Sequence, residues 1–192
     1  QKKYGENLNN KFKKNKINRI SIVSHQKNNG YLIKSVLEEI FRINDTSNHK
    51  FHIPWSELEL VSVLSGNEAD KLLLAYPDKE ERELVKQQDI ANHNAVEVAN
   101  YFNRLLYQIK VFDPDIIILD HDAELLHVLI KMLRNEYEVL GLKPIIAIVT
   151  GEFIPADIND LLQQNVNIIA SELHDIGDVY CLRDALQKLF LS

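Results

Sequence analysis

Pro114-Asp115-Ile116-Ile117-Ile118-Leu119-Asp120 is a short apolar run that starts after a proline and ends on a carboxylate. Four consecutive large aliphatic residues with no polar alternation indicate a strand buried on both faces. Strands of that kind belong to parallel sheets covered by helices. In such sheets ligands and chemistry sit at the carboxyl ends of the strands. The run therefore makes Asp120 the first candidate functional group.

The neighbouring segments extend the pattern. Ile20 to Val23 reads as a short strand, Asn28-Asn29-Gly30 as a break, and Tyr31 to Ile43 as a helix with Leu32, Val36, Ile40 and Ile43 on one face. His52-Ile53-Pro54-Trp55 looks extended, with Trp55 a core anchor, and Glu57 to Leu64 fits a strand or a short helix. Asn67 to Gln88 is charged and reads as helix broken at Pro77. Ile90 to Val111 is the clearest helix, with an apolar stripe of Ile90, Val96, Ala99, Phe102, Leu106 and Ile109. After the Asp120 strand come a helix (Glu124 to Leu140), a strand (Ile145 to Val149), a helix (Ala156 to Gln164), a strand (Val166 to Ala170) and a helix (Gly177 to Phe190). Strands alternating with helices across short connections predict an α/β fold, a three-layer α/β/α sandwich on a mostly parallel five-stranded sheet.

Bulk properties narrow the class. The chain has 192 residues, 45% hydrophobic and 26% charged, which is enough for one well-buried core. A net charge of -6 argues against nucleic acid as the main partner. The single cysteine, Cys181, excludes an internal disulfide framework and fits a reducing, cytoplasmic setting. No apolar run approaches the roughly 20 residues needed to span a bilayer. Residues 1–18 are rich in Lys and Asn and read as a basic, flexible arm, leaving 19–192 as the folded domain. The chain opens on Gln1, so a longer parent protein is expected.

The element order and the strand ends resemble the receiver domain of two-component response regulators, over about residues 19–190. A receiver has Pro-Asp and then a hydrophobic strand ending in the phosphoacceptor aspartate, matched by Pro114 to Asp120. Its next strand ends in Thr or Ser followed by a small residue, matched by Thr150-Gly151. The resemblance implies a flavodoxin-like topology, a phosphoacceptor site at Asp120 and Thr150, a histidine kinase or other protein partner, and Mg²⁺ if the site is active. Three positions depart from it. Ser24-His25 stands where a receiver holds Mg²⁺ with an acidic pair, Glu172 stands where it carries the phosphate-binding lysine, and Ile169 replaces the switching aromatic. Phosphoryl transfer to a carboxylate needs its developing charge neutralised by metal and cation. A carboxylate in place of the lysine repels a phosphoryl group by roughly 4 kcal/mol at about 4 Å and an effective dielectric near 20. Asp120 and Asp122 remain candidate ligands for a divalent cation.

A receiver also needs fewer residues between its first and third strands. The surplus falls within about 49–88 and reads as an insertion for partner binding or homodimerisation. The expected function is a receiver-like signalling domain that has lost standard phosphorylation and acts as a protein-interaction or dimerisation module, not an enzyme. Three alternatives stay open: a phosphorylatable receiver using Asp120, a phosphatase resembling the haloacid-dehalogenase type with Asp120 and Asp122, and a receiver-like wing domain of a larger metabolic enzyme. The remaining histidines lack metal-ligand spacing, and Glu172 to Gly177 reads as a helix start capped by Asp175.

Overall fold

Strand β3 (Ile116–Asp122) is the middle of a five-stranded, all-parallel sheet ordered β2-β1-β3-β4-β5. The other strands are β1 (Arg19–Ser24), β2 (Lys50–His52), β4 (Ile145–Thr150) and β5 (Val166–Ala170). This architecture comes from a computed structural model of the chain, which describes residues 17–24, 27–44, 49–54, 75, 78–88, 93–136, 143–150, 166–170 and 176–191. The expected basic arm, the helix over 156–164, Trp55, His25 and Glu172 lie outside those residues.

Five helices are described: α1 (Lys27–Asn44), α2 (Lys79–Gln88), α3 (His93–Phe112), α4 (Ala123–Glu136) and α5 (Ile176–Leu191). Two cores follow from strand alternation, because successive side chains point to opposite faces. Ile20, Ile22, Ile116, Ile118, Ile146 and Ile148 pack under α1 and α5. Val23, Ile117, Leu119, Ile145, Ala147 and Val166 pack under α3 and α4. The sheet is thus apolar on both faces, which is why its central strands read as unbroken aliphatic runs. This is the three-layer sandwich that the alternation of elements predicts, with the flavodoxin-like topology that the resemblance implies.

Several local expectations change. The Asn28-Asn29-Gly30 break is the first part of α1. Poor helix formers are tolerated there because the first amides of a helix have no intrahelical partner to lose. The buried face of α1 is Ile33, Val36, Leu37, Ile40 and Phe41, one position on from the expected Leu32. Strand β3 runs past Asp120 to Asp122, because His121 and Asp122 still pair with Val149 and Thr150 of β4. The 49–88 surplus begins with β2, the sheet's own edge strand, so its extra described element is α2.

Helix α2 lies along α3 and is fastened through Arg82, whose side chain is fully buried. Arg82 Nε donates to Asn103 Oδ1 of α3 at 3.0 Å, and Nη2 donates to both oxygens of Glu136 on α4 at 2.6 and 2.8 Å. Asn103 Nδ2 donates in turn to Glu83 Oε1 at 3.1 Å. A second arginine, Arg134 of α4, donates to the Lys143 carbonyl at 2.7 Å ahead of β4. Burial lowers the Arg134 guanidinium pKa from its ordinary value, yet such a group stays cationic at physiological pH.

Candidate functional site

The carboxyl ends of β1 and β3 bring two of the expected site residues together. Ser24 and Asp120 are register partners across the β1–β3 ladder. Each occupies an even position of its strand, following Ile20 and Ile22 or Ile116 and Ile118, so both belong to the α1/α5 face. Ser24 Oγ donates to Asp120 Oδ2 at 2.7 Å, the length of a strong O–H···O bond. Ser24 is 1% exposed and Asp120 2%. The other carboxylate oxygen, Oδ1, is buried as well.

Gly30 brings the start of α1 close to this pair. A Cβ built on it would lie 3.7 Å from Ser24 Cβ and 3.4 Å from Ile53 Cγ2, ordinary van der Waals separations. Gly30→Ala should therefore fit, and should raise stability by about 0.5–1 kcal/mol through the glycine's lost chain entropy. Urea unfolding checks this, and a loss of stability would show that α1 sits tighter on Ser24 than these distances give.

The rest of the expected site is distributed. Asp122 and Thr150 are direct register partners at the ends of β3 and β4. Their side chains, and all of His25 and Glu172, fall outside the described residues. The geometry therefore joins Ser24 to Asp120 and sets the Asp122 and Thr150 backbones next to them. His121 is 5% exposed and, at an odd position of β3, belongs to the α3/α4 face with Ile117 and Leu119. Among the described residues, no group of three or more His, Cys, Asp or Glu is placed to hold a metal ion.

The amino end of the sheet carries a second polar cluster that periodicity does not reveal. Asp115 Oδ2 accepts from the backbone amides of Asn18 and Arg19, both at 3.0 Å, and the Asp115 amide donates to the Arg19 carbonyl at 2.8 Å. Arg19 Nε donates to the Phe112 carbonyl at 2.9 Å, and Nη2 donates to the same oxygen. The Arg19 guanidinium lies 4.3 Å from the Phe112 ring centre, and His52 stacks on that ring at 4.7 Å. Ser21 Oγ sits 3.3 Å from His52 Nδ1. Ser21 is fully buried and His52 is 8% exposed; the two are register partners and fasten β1 to β2. Asp113, with φ at 52°, takes the left-handed conformation that ends α3. Its amide bonds back to the Ile109 carbonyl at 3.2 Å before Pro114 redirects the chain into β3. The Pro-Asp pair is the sequence signal for this cluster, but its spacing alone does not say which backbone groups Asp115 holds.

The Ser24 hydroxyl binds one oxygen of the Asp120 carboxylate, and both residues are buried. No helix among the described residues is long and apolar enough to cross a membrane. In comparisons with known proteins, no family model, curated protein or solved structure matches this chain.

Proposed function

We propose that this chain is a receiver-like signalling domain that has lost standard phosphorylation and works as a protein-interaction or dimerisation module in the cytoplasm. The observation that carries this reading is the buried hydrogen bond from Ser24 Oγ to Asp120 Oδ2 at 2.7 Å. A receiver would use acids at the Ser24–His25 position to hold a metal against the acceptor carboxylate. Here a hydroxyl takes up that carboxylate directly. Phosphorylating Asp120 on either oxygen would require opening a residue only 2% exposed. The resemblance also aligns Glu172 with the phosphate-binding lysine, and a carboxylate there would repel a phosphoryl group. The interaction half of the reading is supported by large apolar side chains left in solvent on neighbouring helices, Leu84 on α2 and Tyr107 and Val111 one turn apart on α3.

The test is an amide NMR spectrum recorded with Mg²⁺ and beryllofluoride, which mimics an aspartyl phosphate. The Ser24, Asp120 and Thr150 amides are expected to stay in place. Saturable shifts centred on Asp120 and abolished by Asp120→Asn would establish the phosphorylatable reading instead.

A further inference from the structure

We propose that the groove between α3 and α4 is a guanidinium-binding site, that Arg82 is its resident, and that α2 is a cover that opens as a unit apart from the sheet. The proposal does not depend on the fate of Asp120. Its first support is the shape of the socket. Asn103 Oδ1 takes Nε, both Glu136 oxygens take Nη2, and Met132 Sδ lies 3.8 Å from Nη1. Acceptors set around a planar fork suit arginine, and a compact ammonium cannot reach them together.

The second support is the character of α2. Among its described side chains Arg82 is the buried one, while Lys79, Glu80, Glu81 and Leu84 face solvent. The described docking of this helix centres on the Arg82–Glu136 ion pair, whose Glu136 side chain is 9% exposed, joined by the hydrogen bonds of Arg82 and Glu83 to Asn103. None of the described core residues comes from α2; they come from the sheet, its adjoining segments and α1, α3, α4 and α5. The third support is a cavity of about 40 Å³ beside the pair, lined by Asp78, Lys79, Lys131, Met132, Asn135 and Glu136. It has room for water next to the Glu136 carboxylate. The partner that fits is a protein segment presenting an arginine, which would take the place of Arg82 and lift α2.

Hydrogen exchange on the full chain tests this. Arg82→Ala should raise exchange of the α2 amides by roughly a hundredfold, the equivalent of about 3 kcal/mol from a buried pair, with β1, β3 and β4 unchanged. Millimolar methylguanidinium should then restore protection of α2. Methylammonium should not, and neither should methylguanidinium when Glu136→Gln is added. Glu136→Gln alone keeps the groove filled and should loosen α2 by a smaller factor, again without touching the sheet. The proposal is overturned if exchange rises equally in α2 and the sheet in either single variant. It is also overturned if restoration is absent, or if methylammonium restores α2 equally well.

Discussion

Phe190→Ala is expected to lower stability by about 3–5 kcal/mol, the range for emptying a buried aromatic site. Phe190 is fully buried near the end of α5, and its ring meets Phe41 of α1 edge-on at 5.4 Å and 88°. Phe41 in turn stacks on His49 at 4.0 Å, just before β2. Through Phe41, this ring ties α5 to α1 and to the residue that precedes the edge strand β2. Removing it leaves a void where three elements meet, and a neighbourhood of aromatic rings collapses poorly into such a void. At about 2–4 °C per kcal/mol for a chain of this size, the midpoint of thermal unfolding should fall by roughly 6–20 °C. Phe190→Leu fills most of the volume and should cost less than about 1.5 kcal/mol. A loss below about 1 kcal/mol for the alanine variant would mean that the last turn of α5 does not close the α1/α5 layer.

Asp115→Ala should cost about 2–4 kcal/mol. Its carboxylate holds two backbone amides, and hydrogen bonds to a charged group contribute about 1.5–3 kcal/mol each before water competes for the freed donors. The effect is larger than a surface carboxylate normally gives because Asp115 fixes a register. Its side chain meets the chain just ahead of β1 and its amide meets the Arg19 carbonyl, so Ile20 can pair only with Ile116. A slip of one residue would exchange the two faces of β1, setting Ile20 and Ile22 toward α3 and α4 and Val23 toward α1 and α5. Asp115→Asn keeps one oxygen in place and should lose about half as much. Chemical denaturation with both variants gives the comparison, and equal losses would contradict a role through the acceptor oxygen.

The fold was legible because its signals are local. The aliphatic run from Ile116 to Leu119 and its counterpart from Ile145 to Val149 each declare a strand buried on both faces. The helices between declare parallel connections. The Ser24–Asp120 partnership was half legible: both residues stood out as strand ends, but only the ladder shows them to be direct partners. The end of β3 was misplaced because Asp120 looks like a terminus, whereas β4 is long enough to carry the pairing two residues further. Arg82 was illegible. It sits inside Lys79-Glu80-Glu81-Arg82-Glu83, where every residue looks like a solvated helix face. Its burial depends on Glu136, which lies 54 positions away. Asp115 was seen as part of a Pro-Asp signature, but its amide partners lie more than 90 residues earlier.

The placing of β1 beside β3 has a consequence for how the protein is made. Ser24 and Asp120 are 96 positions apart, and at 5–20 residues per second a ribosome needs roughly 5–20 s to cover that distance. During that interval β1 has only the three-residue β2 as a finished neighbour, and two short strands are not stable by themselves in water. Ile20, Ile22, Val36, Leu37 and Ile40 would then have only each other to pack against until the Pro114–Asp120 segment emerges. The strand that decides the fold is thus also the step on which synthesis of a folded domain depends, and the nascent N-terminal third is the part of this chain that a chaperone would meet first.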